Sequence, residues 1–189
     1  ARLPLAFACL FLGPLAVIAE GLRVDNNNIK SLTPEQARKL VAEFNGQHLI
    51  LSGLATLDAD TAKALAELKG HSLALDALTA LDANTAKTLA EYKGEYLALN
   101  RMTTLHASTA KPLAAFKGKY LHLKGLTSLD AGTATALAEF KGHVLDLAGL
   151  TTLDADTATA LAQFKGRELR LNGLTTLDAG TAKALAEFK

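Results

Sequence analysis

Apolar residues follow two spacings along the chain, and the alternation between them repeats every 24 residues. The run Leu49-Ile50-Leu51 places leucines two positions apart, which is the period of a strand with one buried face. Further on, Ala62, Leu65 and Leu68 have the spacing of one face of a helix. Each unit is therefore predicted to contain a short strand, a turn and a helix.

Columns of like residues show that the units are close copies. One column is glycine at every unit: Gly46, Gly70, Gly94, Gly118, Gly142 and Gly166. A second is large and apolar: Phe44, Leu68, Tyr92, Phe116, Phe140, Phe164 and Phe188. Copies at fixed spacing indicate a stacked solenoid, with this second column in its core. Because each coil returns through a helix, successive strands must pair in parallel. The predicted fold is an α/β right-handed solenoid with one strand and one helix per repeat.

The helix boundaries carry recognisable end signals. Thr33-Pro34-Glu35-Gln36 has the N-cap, the proline and the glutamine of a capping box. By register, later helices are predicted to be capped by aspartates rather than to present these as calcium ligands: Asp58, Asp82, Asp130, Asp154 and Asp178. One helix departs from the pattern, with His106 in place of the cap and Pro112 inside. Proline is costly there, so that helix is predicted to start late, near Thr109, with a kink.

Two glycine columns are expected to differ in importance. The column after each helix is unbroken, which predicts a left-handed backbone at the helix end. The column before each Leu-Thr pair contains Ala77 and Arg101 in two units. It is therefore expected to tolerate a side chain, so that Gly125→Ala should be mild and Gly118→Val should not.

The segment from Leu22 to Leu32, LRVDNNNIKSL, resembles the conserved segment of leucine-rich repeats, with Asn27 at the asparagine position. Later units keep a contracted form, as in LDLAGLTTL from Leu145 to Leu153, which looks like an atypical bacterial class of that family. The resemblance implies that outward strand positions line a concave face and make the contacts. These units lack the asparagine, and a threonine column is expected to satisfy the turn backbone instead: Thr79, Thr103, Thr127, Thr151 and Thr175.

Residues 1–19 resemble a secretory signal peptide, with Arg2, an apolar run from Leu3 to Ile18, and small residues before Glu20. An uncleaved anchor is the alternative. Residues 20–32 are predicted to form an N-terminal capping half-repeat, and residues 33–189 the solenoid, truncated at its C-terminus. The mature chain is expected to be exported, to contain no cysteine once Cys9 is removed, and not to insert into a membrane.

Charge gives no reason to expect a polyanionic partner. The chain has 20 basic and 19 acidic residues, a formal charge of +1, so no long-range field favours nucleic acid or an anionic membrane. Partners are therefore expected to be a protein, a peptide or a glycan.

The outward strand positions vary from unit to unit while the inward leucines do not, which suggests a binding face. Tyr96 and Tyr120 are predicted to be adjacent, either as a ligand platform or as a stabilising cross-strand pair. His122, Asp146 and Arg170 should form a row, either a solvated charge ladder or a polar anchor for a ligand. The complete set predicted to bind ligand is Tyr96, Tyr120, His122, Lys124, Asp146, Glu168 and Arg170.

Catalysis is not expected, because no serine or cysteine lies beside the histidine and aspartate as a nucleophile. His71 and His143 share a register but lie three coils apart, so no metal site and no cofactor are predicted. Two functions stay open: an exported binding module, and a spacer within a larger cell-envelope protein. Near-identical helices favour the spacer, and varied strand positions favour binding.

Overall fold

The computed structural model of the protein describes residues 16–18, 23–25 and 28–188. Strands and helices alternate along most of this part of the chain. The strands are β1 (Ala16–Ile18), β2 (Arg23–Asp25), β3 (His48–Ile50), β4 (Ser72–Ala74), β5 (Tyr96–Ala98), β6 (Tyr120–His122), β7 (Val144–Asp146) and β8 (Glu168–Arg170). The helices are α1 (Pro34–Glu43), α2 (Ala59–Ala66), α3 (Ala83–Leu89), α4 (Ala107–Ala114), α5 (Ala131–Ala138), α6 (Ala155–Leu161) and α7 (Ala179–Leu185).

All the strands form one sheet in chain order. β1 pairs with β2 antiparallel, and every later pairing, from β2 to β8, is parallel. The helices pack in the same order, each against the next. The prediction of an α/β solenoid with one strand and one helix per 24-residue repeat is confirmed.

Two predicted segments at the N-terminus are only partly visible. The predicted signal peptide, residues 1–19, lies outside the described residues except for Ala16–Ile18. Of the predicted capping half-repeat, residues 20–32, the described residues are Arg23–Asp25 and 28–32. Both assignments stay predictions.

Inward leucines and stacked rings form the interior. Leu49, Leu51 and Leu54 are fully buried, and their counterparts in the central coils are buried too. The predicted aromatic column lies in the core, with successive rings from Tyr92 to Phe188 separated by 6.1, 6.2, 6.0 and 6.2 Å and nearly parallel. Helices this short are marginal alone, so stacking of the coils is what stabilises them.

The predicted caps are confirmed. The capping box of Thr33 and Gln36 is present, and each predicted aspartate accepts an N–H from the first turn of its helix. A buried threonine three residues after the cap, which the sequence analysis did not single out, adds a second link. Thr61 Oγ1 lies 3.1 Å from Asp58 Oδ2 and 3.4 Å from the carbonyl oxygen of Leu32 in the previous coil. The cap thus also joins neighbouring coils.

The late start predicted for the proline-containing helix is wrong. α4 begins at Ala107, in register with the other helices, although His106 makes no side-chain cap bond and Pro112 lies inside. Proline removes only one helical hydrogen bond, and α4 is held on both sides by α3 and α5. Stacking therefore outweighs the local penalty.

The left-handed backbone predicted for the glycine column after the helices is also wrong. None of Gly70, Gly94, Gly118, Gly142 and Gly166 has a left-handed backbone. A Cβ on Gly118 would instead lie 2.2 Å from the ring of Phe116 and 2.7 Å from the carbonyl oxygen of Glu95. Nor is the other column tolerant in every coil, because a Cβ on Gly125 would lie 2.6 Å from two backbone oxygens. Gly118 and Gly125 are glycines because backbone oxygens of the preceding coil approach closely there.

Side chains from two columns satisfy the turn backbone in place of an asparagine ladder. The expected threonine bonds exist at two links, where Thr151 and Thr175 each contact the threonine carbonyl of the preceding coil. Elsewhere a side chain two positions after the strand satisfies the turn backbone. Asn100 N donates to Asp76 Oδ1 at 3.2 Å, and Lys124 N donates to Asn100 Oδ1 at 3.3 Å.

Candidate ligand-binding face

The outward strand positions form columns on one face of the sheet, as their spacing predicted. In the first column Tyr96 lies beside Tyr120, and in the second His122 lies beside Asp146, which lies beside Arg170. We call β3 to β5 the groove half of this face and β6 to β8 the charged half. The strand register brings most of the predicted binding residues together in the charged half.

Asp146 is the centre of the charged half. Its side chain is only 1% exposed, and its Oδ2 lies 3.3 Å from His122 Nδ1, 3.5 Å from Lys124 Nζ and 3.6 Å from Arg170. Its Oδ1 accepts the N–H of Ala148 at 3.1 Å. A carboxylate this buried needs such partners. The row is therefore not the solvated charge ladder that was one of the two predicted alternatives.

His122 connects Asp146 to Tyr96. The hydroxyl of Tyr96 lies 2.9 Å from His122 Nδ1, and the two ring centroids are 4.4 Å apart. Burial lowers the pKa of His122, an effect that the carboxylate of Asp146 opposes. Its Nε2 is buried without a hydrogen-bond partner among the described residues. The neutral imidazole is thus the form that suits this position.

This arrangement is not the relay of a hydrolase triad. In a relay, the nucleophile and the carboxylate contact opposite nitrogens of the imidazole. Here the Tyr96 hydroxyl and the Asp146 carboxylate both lie against Nδ1 of His122. The three side chains therefore lack the contacts on opposite ring nitrogens that define a relay.

The outer predicted residues are arranged more loosely. Arg170 makes a two-point contact with Glu168, at 2.7 and 3.1 Å, which raises the pKa of Arg170 and lowers that of Glu168. Tyr120 stands 6.1 Å from Tyr96 with the rings tilted by 38°. Lys124 is exposed apart from its contact with Asp146. These groups border the buried centre and remain accessible to a ligand.

The groove half contains a cavity that the sequence analysis missed. An open groove of about 600 Å³ crosses β3 to β5. Its floor is Ile50, Ala74 and Ala98, which form a small apolar cluster against Tyr96. The signal was visible as small residues at the outward strand positions Ser72, Ala74 and Ala98, but small residues do not by themselves predict a groove.

Polar side chains border this groove at both ends of the strands. His48 Nδ1 lies 2.8 Å from Ser72 Oγ, and the rings of His48 and His71 are 5.7 Å apart in an edge-to-face contact. At the other end are Ser52, Asp76 and Asn100. The groove thus combines an apolar floor with hydrogen-bonding groups at its rims.

Tyr96 lies between the two halves. Burial raises the pKa of its hydroxyl, and the carboxylates of Asp76 and Asp146 raise it further. The side chain lines the groove, and its hydroxyl contacts His122. It is the one predicted binding residue that also lines the groove.

In the described part of the chain, no helix has the length and hydrophobicity to cross a membrane. Within those residues, no group of three His, Cys, Asp or Glu side chains is placed to hold a metal ion. Comparison with known proteins gives no further assignment: no protein-family model matches the chain, and no curated protein matches it.

Proposed function

We propose that the protein is a binding module that recognises a protein, a peptide or a glycan through the outward face of its sheet. The observation that carries this proposal is the open groove of about 600 Å³ on the face whose residues vary between repeats. Pockets of this size are typical of ligand sites. The charged half adds groups fixed by a buried carboxylate, which give direction and specificity.

The resemblance to leucine-rich repeats supports the same face. In that family the outward strand positions make the contacts, and here those positions hold Tyr96, Tyr120 and Arg170. The coils share the parallel strands and inward leucines that the resemblance implies. We further propose that the chain is exported, on the strength of residues 1–19.

A spacer role is the second candidate. It is favoured by the near identity of successive coils, such as 154–164 and 178–188. Their helices, α6 and α7, pack against each other. A spacer requires only the stacked coils, whereas a binding module also requires the outward face of its sheet. Changes to the face therefore separate the two functions.

The experiment is a binding screen of the folded chain on peptide and glycan arrays, followed by titration of matched variants. Exchange of both Tyr96 and Tyr120 for Ala should weaken binding roughly tenfold or more. Exchange of both Lys63 and Glu67 for Ala should not, although these line a smaller cavity of about 390 Å³ at the helix ends. Loss of binding only in the helix variant would overturn the proposed face, and a folded chain that binds nothing would favour the spacer.

A further inference from the structure

The groove half differs from the charged half in its electrostatics. Among the described residues that line the groove there is no lysine or arginine, and the single aspartate, Asp76, already accepts a backbone N–H from Asn100. An anionic ligand would find no permanently charged cation among these residues. A strongly cationic ligand would find one carboxylate that is already hydrogen-bonded.

The lining combines two kinds of surface. Ile50, Ala74 and Ala98 provide an apolar floor beside the ring of Tyr96, and hydroxyl, amide and imidazole groups border it. A neutral sugar ring has this same division, with C–H groups on its faces and hydroxyls around its edge. Its C–H face can pack on an aromatic ring, and each hydroxyl can both donate and accept a hydrogen bond.

The polar groups are held in place before any ligand binds. Asp76 and Asn100 are each fixed by a backbone N–H of the next coil, at 3.2 and 3.3 Å. Since Asn100 uses its carbonyl oxygen for this bond, its amide N–H groups can donate to a ligand. Groups fixed in this way lose little entropy on binding, which favours affinity for a small ligand.

An extended peptide is a poorer fit. Peptides that bind sheets gain affinity from main-chain hydrogen bonds along a free edge. The groove crosses the interior strands β3 to β5, each of which is paired on both sides. A peptide lying there would leave most of its backbone groups dependent on a few side chains.

We propose that the groove of β3 to β5 binds a neutral saccharide, with the ring packed on Tyr96 and the alanine floor and the hydroxyls bonded to Asp76 and Asn100. This rests on the proposed function of the sheet face and narrows its ligand to one chemical class.

The test uses neutral disaccharides of glucose, galactose, mannose and N-acetylglucosamine, titrated into the full chain by calorimetry. Ala74→Ile fills the floor with the same kind of side chain that Ile50 places in that column, so the fold should tolerate it. We expect it to weaken saccharide binding at least tenfold. Ala115→Ile adds the same atoms at an exposed position after α4 and should leave binding unchanged.

Asp76→Asn is the second variant, because asparagine can still accept the N–H of Asn100 while being a weaker acceptor for a hydroxyl. It should weaken saccharide binding roughly tenfold. Thermal melts confirm that each variant is folded. Failure of every disaccharide to bind the folded chain at millimolar concentration would overturn the proposal, as would equal affinities for the Ala74 and Ala115 variants.

Failure of the broader proposal would look different. Neutral capped tripeptides are titrated alongside the sugars. Suppose that peptides bind, that Tyr96→Ala weakens their binding, and that no sugar binds. This result would overturn the saccharide proposal but would still support the sheet face as the binding surface. Binding that only helix-side changes weaken would overturn both.

Discussion

The groove half and the charged half of the sheet face are built on the same coil, yet one is open and the other is filled. Both halves have the same strand register and the same inward leucines. They differ at the second outward column, where Ala74 and Ala98 in one half correspond to Asp146 and Arg170 in the other. A repeat whose interior is fixed can thus change the shape and charge of its face through a few positions.

The border between the halves is the contact of β5 with β6, which two glycines flank. Gly118→Ala or Gly125→Ala should each lower the free energy of unfolding by about 2 kcal/mol, because the added methyl group overlaps backbone oxygens of the previous coil and, at Gly118, also the ring of Phe116. Gly132→Ala, at an exposed position of α5, should change it by less than about 0.5 kcal/mol. Urea denaturation measures all three. A mild result at Gly125 would restore the view that its column tolerates side chains.

Substitution of one aspartate in each half compares the two halves directly. Asp146→Asn should lower the free energy of unfolding by about 2 kcal/mol, because the charge of a buried carboxylate beside Lys124 and Arg170 is lost. Asp76→Asn should lower it by less than about 0.5 kcal/mol, because the half-buried amide can still accept the N–H of Asn100. Equal losses in denaturant would contradict the different burial of the two residues.

Two tyrosines make a finer comparison across the border. Tyr96→Phe should destabilise by about 1 kcal/mol, because the hydroxyl bond to His122 is lost. Tyr120→Phe should have almost no effect, since no hydrogen bond of its hydroxyl is present among the described residues. Paired melts of the two variants provide the measurement, and a larger loss at Tyr120 would show that the link between the halves lies elsewhere.

The smallest expected effect is the pH response of the charged half. Burial lowers the pKa of His122 below its ordinary 6.5, so the unfolded chain binds the proton more tightly than the folded chain. The stability from neutral His122 is complete above this pH and is lost as pH falls through the lowered folded value. His122→Asn should flatten that part of the pH profile of unfolding. An unchanged profile would show that His122 does not titrate as its burial requires.

Much of this architecture could be predicted from sequence because each coil repeats the same constraints. Leu49 and Leu51 have the strand period, and an aspartate at the position of Asp58 recurs as the cap of five described helices. The predictions that were wrong depended on contacts between coils. Gly118 is glycine because of Phe116 and Glu95, which lie together only in the stack.

The candidate site was predictable only in part for the same reason. The register of Asp146 beside His122 and Arg170 followed from the repeat length. The burial of Asp146 did not follow from the repeat length. It depends on the convergence of long side chains from three coils on one carboxylate. The groove was harder still to predict, because it lies where the small side chains of Ala74 and Ala98 leave space.

The central claim is that the sheet face binds the ligand and the helices are scaffold. An NMR titration of isotopically labelled protein with a disaccharide or peptide that binds tests it most directly. We predict shift changes concentrated at the outward residues of β3 to β5, including Tyr96 and Asp76, with α2 to α4 unchanged. Shift changes that map to α2 to α4 and leave Tyr96 and Asp76 unperturbed would contradict it.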